Sequence, residues 1–183
     1  TFFLIIKFTD MENKKTITIT QQVKELIFDI KNKTYIAGRV REAEGTKNFE
    51  SASLMTVSDD TEINYQIRRS LSYAFSLLKS MLHEHISEEG TTGSNLINEE
   101  IDNDGELTLS LNMSNDFSNV SIDALGMSIH QYLVDMALAE WYTITNKEEA
   151  QIYIAHSEVS WNNIKHALYI SRIGKVKRKL RPF

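Results

Sequence analysis

Residues 16–20, Thr-Ile-Thr-Ile-Thr, alternate strictly between polar and apolar β-branched side chains, the two-residue period of a short extended strand. Five residues do not hold as a strand alone, so a partner edge is required. From Gln21 the period lengthens. Val23, Leu26, Ile27, Ile30, Thr34 and Ala37 recur at steps of three and four, predicting an amphipathic helix behind a Thr20 N-cap that ends near Ala43, with Gly45 beyond it. The polar stretch from Gly45 to Asp59, with Ser51-Ala52-Ser53 inside it, reads as a loop. Asp60 and Thr61 offer caps for a second helix. Its apolar face, Ile63, Ile67, Leu71, Ala74, Leu78, Met81 and His85, carries it to about Ser87.

Gly90 and Gly93 mark a break. Beyond them Asp104-Gly105 stands between an Asn-Leu-Ile-Asn-Glu-Glu-Ile stretch and the alternating Leu107, Leu109 and Leu111, a hairpin signal because Gly accepts positive φ without strain. The hairpin is expected over about 94–113. A third helix follows a Ser118-Asn119 cap region, with Ile122, Leu125, Ile129, Tyr132, Leu133, Met136 and Ala139 on one face and an end near Thr143. Asn146 and Glu149 have the spacing of a cap with its reciprocal acid. They open a fourth helix with the face Ala150, Tyr153, Ile154, Ser157, Trp161, Ile164 and Leu168. The connection from Ile144 to Asn146 is short enough to make the last two helices an antiparallel pair. With no long repeat and a single proline, Pro182, no hinge between domains is visible. The expectation is a mainly α chain: an N-terminal extension (1–15), a helical domain (16–171) of four helices with a short N-terminal strand and an inserted β-hairpin, and a C-terminal arm (172–183).

A length of 183 residues fits one such unit, and 42% hydrophobic with 25% charged residues is the balance of a folding chain. The absence of cysteine excludes disulfides, thiol nucleophiles and thiolate metal sites, and fits a reducing compartment. The apolar run Phe2 to Ile6 ends at Lys7, far short of the roughly 20 residues that span a bilayer, and it lacks a basic leader and a small-residue cleavage site. Met11, before Glu12-Asn13-Lys14-Lys15, reads as a natural start, so residues 1–10 receive no functional weight. Charge changes the picture more. Arg172, Lys175, Lys177, Arg178, Lys179 and Arg181 put six cations in the last twelve residues with no acid among them. Removing that +6 from the net −5 leaves −11 on residues 1–171. An acidic body argues against broad DNA wrapping, which needs a cationic face. The tail is either a solvated end or an arm that orders against a neighbour, with Leu180 and Phe183 as apolar anchors among the charges.

Candidate chemistry is sparse. Glu100, Asp102, Asp104, Gly105 and Glu106 imitate a calcium-binding EF-hand loop, but Leu111 stands where the bidentate glutamate must be, so the stretch reads as a solvated hairpin tip. His83 and His85 are two apart and point to different sides of a helix. His130, His156 and His166 have no accompanying acid spacing, so packing or surface roles are expected. Trp141 and Trp161 serve either as core residues or as intersubunit anchors. Gly90-Thr-Thr-Gly93-Ser lacks the lysine of a phosphate loop, and no Gly-x-Ser-x-Gly elbow occurs. No enzyme and no cofactor is expected.

The stretch from Ile129 through Trp141 to Asn146 and Ala150, followed by a helix and an Arg/Lys-rich end, resembles the C-terminal half of head-to-tail connector proteins of tailed bacteriophages, in particular those of the crAss-like phages of Bacteroides. The helix order is similar to the adaptor fold below a phage portal. The resemblance implies a four-helix adaptor-like bundle and a virion protein made in the host bacterial cytoplasm. It further implies a ring of about twelve copies at the neck, contacts with the portal and with adjacent neck or tail rings, and a central channel passing DNA without sequence-specific binding. It implies no membrane and no catalysis. By the same resemblance, Arg172, Lys175, Lys177, Arg178, Lys179, Leu180, Arg181 and Phe183 form the portal-docking or neighbour-binding arm, and Leu96, Ile97, Asp104, Gly105, Leu107, Leu109 and Leu111 form a hairpin interface with the next ring. A different class, a small helical nucleic-acid-binding regulator using the basic tail, would also account for the C-terminal charge.

Overall fold

The computed structural model describes residues 14–43, 49–58, 60–93, 101–102, 104–115, 117–118 and 120–173. They form β1 (Lys14–Gln22), α1 (Val23–Ala43), α2 (Phe49–Met55), α3 (Thr61–Met81), β2 (Glu106–Ser114), α4 (Val120–Thr145) and α5 (Lys147–Ile173). The architecture is mainly helical with one two-stranded antiparallel sheet.

The sheet differs from the expected hairpin. β2 pairs along its whole length with β1, from Lys14 opposite Ser114 to Gln22 opposite Glu106, which sets Ile17 across from Leu111 and Ile19 across from Leu109. Segment 85–92 covers the other edge of β2. The Ser87 amide donates to the Ser110 carbonyl at 2.8 Å, the Thr92 amide to the Thr108 carbonyl at 2.8 Å, and the Asn112 amide to the His85 carbonyl at 2.6 Å. The hydroxyls of Thr91 and Thr92 accept the amides of Ser110 and Thr108. Both edges of β2 are thus occupied, one by β1 and the other by segment 85–92. The first arm of that hairpin, 94–100, lies outside the described residues.

β1 runs directly into α1. Thr20, read as a cap, is still in the strand, and the first helical amide, Val23, donates to the Gly105 carbonyl at 3.0 Å. Sheet pairing thus takes over the role of the capping side chain. Val23, Leu26, Ile27, Ile30 and Thr34 are buried as their spacing requires. The expected 45–59 loop contains α2, whose placement depends on small groups: a Cβ on Gly38 of α1 would lie 2.5 Å from Thr56 Oγ1 and 3.1 Å from the Ala52 carbonyl. The Thr34 hydroxyl accepts the Val57 amide at 3.3 Å and donates to the Lys31 carbonyl at 2.9 Å.

α3 ends at Met81 rather than near Ser87. Leu82 closes it onto the Leu78 carbonyl, and His85 lies in the following turn. Asp60 has an extended cap backbone, but its carboxylate accepts the Ser58 hydroxyl at 2.6 Å instead of a helix amide. The Lys79 ammonium then reaches the carbonyls of Thr92 and Gly93 at 3.3 and 3.0 Å, tying the segment that covers β2 back onto α3.

α4 is the centre of the core and contacts α1, α2, α3, α5 and β1. Beyond its predicted face, Val134, Ala137, Leu138, Trp141 and Tyr142 are also buried, the pattern of a helix enclosed nearly all round. Asn146 alone joins it to α5. Its side-chain oxygen accepts the Glu148 amide at 3.1 Å, while its own amide donates to the Tyr142 carbonyl, so the cap is one-sided. α5 packs on α4 through a narrow seam that buries the small residues Ala150, Ser157, Ser160 and Ala167 together with Ile164 and Leu168. Close approach narrows that stripe, and Ile154, expected on the face, is exposed.

Candidate functional site

The tail expected to dock on the portal begins on α5, whose last turn contains Arg172. Lys175, Lys177, Arg178, Lys179, Leu180, Arg181 and Phe183 lie outside the described residues, as do Leu96 and Ile97 of the expected hairpin interface. The rest of that interface is placed differently from expectation. Leu107, Leu109 and Leu111 are buried in the core, since they occupy the face of β2 that turns inward with Ile17 and Ile19. They are unavailable to another ring in this fold. Asp104 is exposed, but Gly105 is held between the Asp102 carbonyl, which accepts its amide at 3.0 Å, and Val23, so the turn fastens α1 rather than projecting freely. Trp141 is also core rather than anchor: its ring is buried and its Nε1–H donates to the Met55 carbonyl at 2.9 Å. Trp161 is half-buried against the core, with the Lys165 ammonium 5.7 Å from its ring centre.

Polar groups are gathered at two places where distant segments meet. At the first, His130 of α4 sits between Gln21 of β1 and Asp29 of α1, with Nδ1 3.0 Å from Gln21 Oε1 and Nε2 2.9 Å from Asp29 Oδ2. The Gln21 side-chain amide donates to the Gly126 carbonyl at 2.9 Å. At the second, the buried carboxylate of Asp135 accepts from Lys33 of α1 at 3.2 Å, Gln131 of α4 at 2.7 Å and Ser160 of α5 at 3.2 Å. No sequence signal paired His130 with Asp29, which is 101 residues away. Asp135 is more visible: with Gln131 one turn before it, it interrupts the apolar stretch from Tyr132 to Ala139.

The other histidines have separate surroundings. His83 Nδ1 is 3.0 Å from the Ser80 carbonyl, His85 meets the Tyr169 ring edge-on, and His156 meets Tyr153 edge-on. Among the described residues no three His, Asp or Glu side chains are grouped to hold a metal ion. Shifts in ionisation follow burial. Desolvation, with a lesser contribution from Tyr73, pushes the Tyr132 phenol up to about 12. Desolvation and the nearby Tyr153 and Glu149 raise Tyr142 further, and burial with Glu149 and Asp135 raises Tyr153. Tyr142 and Tyr153 are stacked at 5.4 Å. Burial lowers Lys79.

Open grooves and exposed apolar side chains mark the surface of the described residues. A groove of about 380 Å³ runs between β1 and α4, lined by Thr18, Thr20, Ile122, Asp123, Met127 and His130. A second, of about 270 Å³, lies between α3 and Glu140 of α4 and is lined by Gln66, Arg69, Ser72, Tyr73 and Ser76. On α1, Phe28, Tyr35, Ile36 and Val40 are each more than half exposed, and Arg39 lies over the Tyr35 ring at 6.0 Å. On α5, Ile152 and Val159, two turns apart on one side of the helix, are exposed at 48% and 58%, while Ile154, exposed at 46%, lies on another side at the margin of the seam with α4. Contiguous groups of exposed apolar residues, unlike scattered ones, mark contact surfaces. No described helix is long and apolar enough to cross a membrane. No protein-family model, curated protein or solved structure matches the chain.

Proposed function

We propose that the chain is a structural virion protein: one subunit of a ring in the head-to-tail connector of a tailed phage, docking on the portal and leaving a central channel for DNA. In this reading α1, α3, α4 and α5 constitute the four-helix adaptor-like bundle, and the protein performs no catalysis. It is made in the host bacterial cytoplasm and works at the neck of the particle, against the portal and the adjacent neck or tail rings.

The observation that carries the reading is that folding leaves apolar side chains uncovered on two separate helices, Phe28, Tyr35, Ile36 and Val40 of α1 and Ile152 and Val159 of α5. A ring is built from heterologous contacts, in which one patch of each copy meets a different patch of the next. Two separate faces on one chain provide that geometry, whereas a single patch would favour a two-fold dimer. The −11 carried by residues 1–171 supports a channel that repels phosphate, and the cationic arm supports attachment to an acidic neighbour.

Light scattering of the purified full chain, alone and with the portal protein of the same virus, tests this. A discrete complex of many copies on the portal is expected, lost when residues 172–183 are deleted. Absence of any complex with portal, together with DNA binding that weakens steeply with salt and disappears with the same deletion, would overturn it in favour of a nucleic-acid-binding regulator.

A further inference from the structure

The junction of β1, α1 and α4 contains more hydrogen-bond acceptors than a neutral imidazole can satisfy. A neutral ring has one N–H donor and one bare nitrogen that accepts. At His130 both nitrogens face acceptors. Asp29 offers a carboxylate oxygen 2.9 Å from Nε2. Gln21 offers its amide oxygen 3.0 Å from Nδ1, and the orientation of that amide is fixed independently. Its other end lies 2.9 Å from the Gly126 carbonyl, which only accepts, so that end is the NH2 group and the oxygen is turned to His130. Turning the amide over would set oxygen against the Gly126 carbonyl and strand both groups.

We propose that His130 is carried as the imidazolium in the folded chain and that its second proton is a clasp fastening α4 to β1 and α1, closed under acidic conditions and released as pH rises. The surrounding charges fit this assignment. From α1 the facing group is Asp29, and Lys33, one turn further along, is engaged by Asp135. From β1 the facing group is the uncharged Gln21. On α4 itself, Asp123 lines the same groove two turns earlier, and on α1 Glu25, one turn before Asp29, is exposed to solvent. With the His130 side chain 24% and the Asp29 side chain 43% exposed, the proton exchanges with solvent without unfolding. Losing it leaves one nitrogen bare against an oxygen, so the ring must give up either Asp29 or Gln21. Both His130 and Gln21 line the groove between β1 and α4, and their parting would loosen its floor.

The test uses the full chain over about pH 5 to about pH 8, where imidazoles change charge. Nitrogen–proton correlation spectra, with the His130 signals identified by their loss in His130→Gln, are expected to show both ring nitrogens protonated at the acid end. In Asp29→Asn the new amide can donate to a bare Nε2, which removes the need for the second proton. The melting temperature of the native chain should therefore fall by about 2–4 °C more across this range than that of Asp29→Asn, the shift corresponding to one such interaction in a chain of this size. A single neutral tautomer at His130 at the acid end would overturn the clasp, as would equal pH dependence in the two proteins. If Asp29→Asn does not fold, the spectra of the native chain decide the question.

Discussion

Lys33→Met is expected to destabilise the chain more than Asp135→Ala, although the two substitutions remove opposite ends of one ion pair. The Asp135 side chain is 1% exposed and that of Lys33 is 32% exposed. Removing the lysine leaves a carboxylate enclosed by α1, α4 and α5 with only the neutral donors Gln131 and Ser160. Breaking a buried pair in this way costs about 3–5 kcal/mol, and the two surviving hydrogen bonds set the expectation at the lower end, about 3 kcal/mol. Removing the aspartate instead frees an ammonium that already reaches water along a flexible stem, so the loss reduces to hydrogen bonds, about 1–2 kcal/mol. Urea unfolding at fixed pH measures both. With a slope of about 2 kcal/mol per molar, the midpoint should fall by about 1.5 M for Lys33→Met and by about 0.5–1 M for Asp135→Ala. The double variant Lys33→Met/Asp135→Leu should recover most of the larger loss, because an apolar pair has no charge to desolvate. A smaller loss for Lys33→Met than for Asp135→Ala would refute this ordering.

Three further outcomes are expected. Trp141→Phe removes the bond to the Met55 carbonyl and should lower stability by about 1–2 kcal/mol, with faster amide exchange concentrated in α2; uniform exchange throughout the chain would contradict the anchoring of α2 by that indole. Alkaline pH should unfold the protein through its buried phenols. The Tyr132 phenol is raised from 10.0 to about 12, so the unfolded chain releases that proton first, and the stability contributed by the neutral phenol, complete below pH 10.0, is lost as pH rises towards about 12. Absorbance of phenolate should then show Tyr132, Tyr142 and Tyr153 ionising only with unfolding. Ile36→Glu/Val40→Glu on the exposed face of α1 should leave the melting temperature within about 1–2 °C, since charges at exposed helix positions cost little, yet prevent copies from associating; unchanged assembly would show that this face is not an interface.

Legibility in the sequence followed the distance over which the responsible interactions act. The stripes of α1, α3 and α4 repeat every turn, and Leu26, Leu71 and Leu133 are buried as those periods require. The cap at Asn146 is a contact between near neighbours and was equally plain. The pairing of Ile19 with Leu109 joins residues far apart in the chain, and alternation alone signalled only that each strand needed a partner. Asp-Gly therefore implied a local hairpin, while the Gly105 carbonyl was in fact committed to Val23. α2 was hidden because a seven-residue helix has too few turns to show a period, and its position rests on the missing side chain of Gly38. His130 has no acid at helical spacing that would mark it in the sequence. Its partner is on another helix, and only folding brings them together.

The proposed ring requires the uncovered apolar side chains of α1 and α5 to meet between copies of the chain. Electron microscopy of the chain bound to the portal protein proposed as its partner measures this directly. A closed ring with an open axial channel is predicted, α1 of each copy lying against its neighbour; single copies scattered on the portal, or a ring whose copies meet through other surfaces, would contradict it.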